Sequence, residues 1–189
     1  GATLEFVTEK FEDTAIGRFI LAARAFVGEV EREKIAERTM RGKVERARSG
    51  RLPQGTGKGC YGYLYEPSTG KRTVVSEQAT IVKRIFTEFV SGTPTVRIVD
   101  RLNEEGIPTL TGSMWYPVTV YHMLRNEAYT GRTIYRKTVS ASVRRPGNGR
   151  AKRTVEPRPS SEWVEIVGAT PEIVDRETFQ AVQNVLDDP

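Results

Sequence analysis

The sequence predicts a mainly α-helical fold with small β elements (α+β): a long linker helix, then a helix-turn-helix domain with a short β-hairpin. No proline interrupts residues 14–49, which predicts one helix of about 35 residues, roughly 50 Å long. Apolar residues recur at helical spacing in three shorter segments after residue 76. Short alternating runs at 61–65 and 73–75 flank a Ser-Thr-Gly turn, which indicates the hairpin.

Composition limits the classes of function. The chain has 189 residues and a net charge of +5, which favours a polyanionic partner without establishing one. Cys60 is the single cysteine, so neither an internal disulfide nor a zinc site with several thiolates can form within these residues. No run approaches the ~20 apolar residues of a membrane span. We therefore expect a cytoplasmic protein with no metal, no cofactor and no membrane partner.

The long helix has two unlike halves. Its first half carries apolar residues at helical spacing, and from Glu31 onward Arg, Lys and Glu dominate. The first half can bury a face, and the second mostly cannot; the second half is either directed towards a partner or a solvated helix with ion pairs. We expect self-association through the apolar half, at Ile16, Phe19, Ile20 and Phe26.

The chain is expected to have three parts. Residues 1–50 hold a strand at 4–8 and the long helix, and because that strand has no evident neighbour, we expect upstream sequence to be missing. Residues 51–59 form a basic glycine-rich linker. Residues 60–189 form a compact domain with a basic loop at 138–160 that is either a mobile tail or a phosphate-contacting loop.

The elements of the compact domain follow from caps and periodicity. A helix begins at Ser76 and closes near Gly92; Thr93 caps the next helix, with Pro94 at its first position. A third helix runs from Pro117 to Asn126 with Val120, Met123 and Leu124 inward. Strands at 132–137 and 163–167 precede a last helix, 171–186, which includes Ile173.

The third helix is the candidate reader of DNA, because the second helix of a helix-turn-helix enters the major groove. Arg125 is expected to contact a phosphate or a guanine, Val118 and Thr119 a thymine methyl, and His122 a phosphate region. The full set of predicted DNA contacts is Arg41, Arg51, Lys58, Ser113, Val118, Thr119, Tyr121, His122, Arg125, Arg136, Lys137, Arg144 and Arg145.

The run from Glu31 to Thr39, followed by Gly42, resembles the final catalytic-domain helix of the serine recombinases, the resolvase, invertase and large integrase family. In that family an arginine of this run helps to hold the scissile phosphate, and Arg38 occupies its place. A planar guanidinium can hold two phosphate oxygens and stays charged. Judged by spacing alone, Arg38 would instead form a helical ion pair.

The resemblance extends over nearly the whole chain. The second part resembles the recombinase domain of large serine integrases at these segments: Tyr61 to Tyr63, Ile81 to Phe86, Leu102 to Thr109, Trp115, Val120 with Leu124 to Asn126, and Tyr129 to Gly131. One departure is Tyr116, where related sequences place a serine or threonine cap.

The resemblance implies that a prokaryotic or phage-encoded parent protein cuts and rejoins attachment-site DNA through a phosphoserine intermediate. The family's nucleophilic serine and its cysteine-rich zinc module have no counterpart here, and Ser49, Ser76, Ser91 and Ser113 are expected in caps and turns. This chain should therefore bind double-stranded DNA and not cleave it. The alternatives are a helix-turn-helix transcriptional regulator with a long dimerisation helix, and a protein-interaction arm with a solvated basic loop.

Overall fold

The structure is a computed structural model, and it describes residues 14–53, 59–143 and 152–188. The strand expected at 4–8 lies outside these residues. By its internal contacts the chain divides into two compact units, Gly1–Lys43 and Val44–Pro189, which are described separately. The expected domain limits at residues 50 and 59 stay predictions.

Helix α1 (Ala15–Arg48) has 34 residues, about 51 Å at 1.5 Å per residue. The Thr14 hydroxyl accepts a hydrogen bond from the Gly17 amide at 3.0 Å, and this contact satisfies one of the free N–H groups of the first turn. The unit boundary falls within the helix. Its residues in the first unit leave large apolar side chains exposed, Ile16 and Phe19 above all.

The last turn of α1 is part of the second unit because its apolar side chains are buried there. Ala47 packs in a small core with Leu52, Ile166 and Ala169. Arg46 donates from Nε to the Leu52 carbonyl at 3.1 Å and from a terminal nitrogen to the Tyr65 hydroxyl at 3.1 Å. These contacts fasten the end of the helix to the segment that follows it.

The predicted hairpin is present. Strands β1 (Tyr63–Glu66) and β2 (Lys71–Val74) pair antiparallel, with Tyr63 opposite Val74. Gly70, which directly precedes β2, has a φ of +70°, and a Cβ there would lie 2.9 Å from the Arg51 Cβ. Only glycine fits this turn without displacing Arg51.

Three helices follow: α2 (Ser76–Val90), α3 (Thr95–Glu104) and α4 (Pro117–Leu124). Each buries one apolar stripe, as the periodicity predicts. The expected Thr93 cap is wrong, since Pro94 is the N-cap residue and α3 begins at Thr95. Pro94 has an extended ψ of 147°, which excludes it from the first helical turn.

The C-terminal third differs most from expectation. Strand β3 (Ile134–Tyr135) pairs with β6 (Val164–Glu165), and β4 (Thr138–Val143) pairs with β5 (Lys152–Pro157). The described parts of the basic segment 138–160 thus form a β-hairpin instead of a loop. Their backbone groups are paired across the two strands, which a solvated tail would not provide.

The last helix is shorter than predicted. Helix α5 (Arg176–Asp187) begins after Asp175, whose carboxylate accepts from the Thr178 amide at 2.7 Å. Ile173 is buried in the core but precedes the helix, so its place on the predicted helix 171–186 is wrong. The Asp175 cap ends the irregular segment, and the hydrogen bond to Thr178 lowers the pKa of the Asp175 carboxyl.

One apolar core joins helices α2, α3, α4 and α5. Phe86 of α2, Phe179 of α5 and the buried Tyr129 pack together, with the Phe86 and Tyr129 ring centroids 5.8 Å apart. The Tyr129 hydroxyl donates to the Tyr61 carbonyl at 3.0 Å, and burial raises the pKa of that hydroxyl. Within the described ranges, no helix has the length and apolarity to cross a lipid bilayer.

Candidate nucleic-acid interface

Helix α4 presents two faces. Val120, Met123 and Leu124 are buried in the core, as expected from periodicity. Val118, Tyr121 and His122 are exposed, and the Tyr121 and His122 rings meet edge to face at 5.9 Å. The structure therefore places these predicted contacts in one outward stripe along a helix that is fixed from behind.

The segment between α3 and α4 is held by Asn103. Its side-chain carbonyl accepts from the Trp115 amide at 2.8 Å, and its side-chain nitrogen donates to the Trp115 carbonyl at 3.1 Å. The indole nitrogen of Trp115 donates to the Ile107 carbonyl at 2.9 Å. Because Trp115 is buried and lies two residues before α4, this network sets where the helix begins.

The first turn of α4 has no side-chain cap. Tyr116 is the N-cap residue, with φ −132° and ψ 149°, and its side chain makes no capping hydrogen bond. Pro117 occupies the first turn, where its missing N–H would have had no helical partner anyway. Tyr116 is exposed, so its ring is presented beside the N-terminus of α4.

A groove of about 260 Å³ lies along this end of α4 and is lined by Leu110, Met114, Tyr116 and Thr119 among others. Three hydroxyls stand together at it. The Ser113 hydroxyl lies 2.7 Å from that of Thr111 and 3.1 Å from that of Thr109. Ser113 and Thr119, both predicted contacts, thus line the same groove.

Arg125, at the C-cap of α4, is held by α5. Its guanidinium lies 2.6 Å from a carboxylate oxygen of Asp187, and it also donates to the Leu186 carbonyl at 3.3 Å and to Gln183 at 3.4 Å. The hydrogen bond to Asp187 raises the pKa of Arg125. The predicted DNA contact of Arg125 therefore has a competitor within the protein.

Arg136 and Lys137 belong to a separate cluster. Arg136, which has a φ of +65°, lies 3.1 Å from Glu162, and Lys137 lies 3.1 Å from Glu127 and 5.5 Å from the centre of the Trp163 ring. Arg158 shares Glu162 at 2.6 Å. The acids in this cluster offset much of its positive charge.

The remaining predicted contacts lie elsewhere. Arg38 and Arg41 are exposed on α1 within the first unit. Arg51 is exposed just after α1, and its amide donates to the Arg46 carbonyl at 3.0 Å. Lys58, Arg144 and Arg145 lie outside the described residues.

The segment that contains α4 differs from the other helices in that it carries no Asp, Glu, Lys or Arg. The sequence from Ile107 to Leu124 contains no Asp, Glu, Lys, Arg, Asn or Gln. By contrast, α3 exposes Asp100, Arg101 and Glu104. A phosphate-rich partner would meet no carboxylate on the segment before Arg125.

Sequence reasoning does not find the residues that position this surface. It includes Asn103 only as one member of a motif, and it gives Asp187 and Gln183 no role. One sequence signal could have indicated the role of Asn103: it is an amide side chain in an amphipathic helix, and a tryptophan follows that helix. No local signal pairs Asp187 with Arg125.

The chain belongs to the Recombinase family, whose sequence model matches residues 76–189. It is 26% identical over 192 residues to a protein of Bacillus subtilis (strain 168) named "Putative DNA recombinase", a match that covers 97% of this chain and 37% of that protein. The prediction that the chain belongs to a recombinase family is thereby confirmed.

Two solved structures share the fold. A crystal structure of an LSR–DNA complex, LSR being a large serine recombinase, matches with a TM-score of 0.53 and 17% identity over 79% of this chain and 38% of the other. A structure from work on the sequence requirements of the Listeria innocua prophage attP site matches with a TM-score of 0.52 and 20% identity over 79% of this chain and 51% of the other. The chain spans about half or less of the length of these relatives.

Proposed function

We propose that this chain binds duplex DNA at attachment sites and supplies the DNA-reading part of a serine site-specific recombinase. The observation that carries the proposal is the stripe of α4, which is exposed, backed by a packed core and free of acidic side chains. Family membership and the LSR–DNA complex among the structural neighbours support it.

We assign the major groove to α4 and treat α3 and α4 as the pair of a helix-turn-helix with an extended turn. A helix that approaches base edges must pass between two rows of phosphates, so carboxylates on its face are unfavourable. The exposed Asp100 and Glu104 of α3 would face that repulsion, whereas α4 has no acid. This difference favours α4 as the reading helix.

In the parent protein, a serine oxygen would attack the phosphorus, displace a deoxyribose hydroxyl and form a phosphoserine link that conserves the energy for rejoining. Arg38 would hold the phosphate oxygens as charge develops on them. We assign no nucleophilic role to Ser49 or Ser91, since their hydroxyls donate to the carbonyls of Arg46 and Thr87, both at 2.8 Å. We therefore expect this chain alone to bind DNA without cleaving it.

The test is selection of this chain on randomised duplexes, with sequencing of the bound pool at two salt concentrations. We expect a shared sequence to emerge, and the logarithm of affinity to fall with the logarithm of salt by about 0.9 for each phosphate contacted. An unselected pool would overturn the major-groove assignment. Cleavage of the duplexes by the chain would overturn the expectation that it only binds.

The role of Arg38 needs the parent protein. We expect Arg38→Ala to abolish strand cleavage and to leave duplex affinity within a few-fold of the original, because the arginine acts on the reacting phosphate. Lys34→Ala, one helical turn earlier, is the matched control and should keep cleavage. Equal losses of binding and cleavage in Arg38→Ala would mean that Arg38 serves affinity or folding instead.

A further inference from the structure

The surface around the start of α4 is unusually apolar for an exposed one. Leu110, Met114, Tyr116, Val118 and Tyr121 form what we call the apolar patch, and Met114, Tyr116 and Val118 are 63%, 58% and 59% exposed. Leu110, Met114 and Tyr116 line the groove beside the helix. Apolar area left in water costs free energy, so a cluster of this kind indicates a contact surface.

The patch lacks the side chains that usually read bases by hydrogen bonds. Guanine and adenine are read mainly by the paired donors of Arg and Lys or by the amides of Asn and Gln. None of these residues occurs from Ile107 to Leu124, and the next one, Arg125, is ion-paired with Asp187 at 2.6 Å. If this end of α4 reads bases directly, it must therefore do so by contacts other than the hydrogen bonds of Arg, Lys, Asn or Gln.

We propose that the apolar patch reads thymine through its 5-methyl group, an inference that rests on the proposed function. The methyl group is the apolar feature that the bases display in the major groove of duplex DNA. Val118 lies within the first turn of α4, the part of a reading helix that reaches the base edges. Its side chain offers only hydrocarbon, which suits a methyl group and no polar base edge.

The neighbouring hydroxyls suit the flank of such a contact. Thr109, Thr111 and Ser113 lie within 3.3 Å of one another, oxygen to oxygen, and are exposed or half-buried at the groove. Hydroxyls can donate to phosphate oxygens without adding charge. A protein partner would use the same apolar area, but the lack of Asp and Glu from Ile107 to Leu124 and the continuity of the patch with the α4 stripe favour DNA.

The experiment compares a thymine-containing duplex, recovered from the randomised pool, with the same duplex carrying uracil in place of thymine. Uracil keeps the hydrogen-bonding edge and removes only the methyl group. We expect the affinity of the chain to fall about fourfold for each methyl group that the patch buries. Val118→Ala and Met114→Ala should each bring the ratio of the two affinities closer to one.

The control is Val185→Ala, which truncates a valine of α5 that is 48% exposed, and it should keep the original ratio. Failure of the chain to bind or select duplexes would overturn the proposed function and this inference together. Normal selection with equal affinity for thymine and uracil would overturn only the inference. A ratio in both patch variants equal to that of the unaltered chain would also overturn only the inference.

Discussion

Arg125 is predicted to contact DNA from its position in the sequence, but the structure shows that it is already bound within the protein. At the end of the proposed reading helix it is a natural phosphate contact, yet its guanidinium is bound to Asp187 of α5. To reach DNA it would have to leave that carboxylate. Asp187 therefore competes with phosphate for the same side chain.

We expect Asp187→Asn to raise duplex affinity by up to about fivefold, the worth of an exposed ion pair, because it frees Arg125. The measurement is titration at two salt concentrations. Asp188→Asn is the control: it removes the same charge one residue later, where the described residues show no ion pair. Equal effects of the two substitutions, or a difference that persists in an Arg125→Ala background, would argue against a DNA contact by Arg125.

Single residues also show which contacts the sequence predicts and which it does not. The burial of Val120, Met123 and Leu124 could be predicted because a helical period repeats within a few residues. The bonds from Asn103 to Trp115 and from Arg125 to Asp187 could not, since each depends on how segments fold back on one another. The sequence thus predicts which side of α4 is buried, but not the hydrogen bonds and ion pair that hold the helix in place.

Among the elements, α1 is fastened at its end by buried apolar side chains and by one arginine that makes two hydrogen bonds. Arg46 bridges the Leu52 carbonyl and the Tyr65 hydroxyl, both at 3.1 Å, and so links the helix to the segment after it and to β1. A guanidinium can make both bonds because its nitrogens are fixed in a fork. Lysine has the charge but one nitrogen.

We expect Arg46→Lys to lower the free energy of unfolding of the second unit by about 1–2 kcal/mol, since a net hydrogen bond contributes about 1 kcal/mol. Urea unfolding followed by tryptophan fluorescence measures it, because Trp115 and Trp163 both lie in this unit. Arg48→Lys is the control, as Arg48 forms an exposed ion pair with Glu45 and no other side-chain bond among the described residues. A loss as small as that of the control would show that the fork contributes nothing.

Elements with strong local signals were predicted well, and those defined by distant pairing were not. Helices α1, α2 and α4 and the β1–β2 hairpin follow from periodicity and turns close in sequence. The sequence predicts a loop at the β4–β5 hairpin because few apolar residues mark its strands, and its stability comes from cross-strand backbone bonds. The predicted start of α5 is too early, because Ile173 fits the helical period. Ile173 is buried, but it lies in an irregular segment before the helix.

At the scale of the whole molecule, the two units differ in how much apolar surface they bury. The second unit buries one large and one small apolar cluster, whereas the apolar half of α1 in the first unit exposes Ile16, Phe19, Ile20 and Phe26 among the described residues. A single helix cannot bury its own apolar stripe. We propose that a second copy of the chain covers it.

We expect the unaltered chain to form dimers or larger species as its concentration rises, and Phe19→Glu to weaken this association by at least about tenfold. Phe19 is 73% exposed, and full burial of such a side chain contributes about 1.5–3 kcal/mol. Sedimentation velocity over a concentration series measures the association. The near-UV circular dichroism of the tryptophans should stay unchanged, because both lie outside the first unit.

Val167→Glu is the matched control for this prediction, since Val167 is 79% exposed in the second unit. It introduces the same charge without touching α1, so it should leave the association intact. If the unaltered chain sediments as a monomer at every concentration, the apolar half of α1 does not bind a second copy. If Val167→Glu weakens association as much as Phe19→Glu, added charge and not the loss of the α1 contact explains the effect, and the assignment of the interface to Phe19 fails.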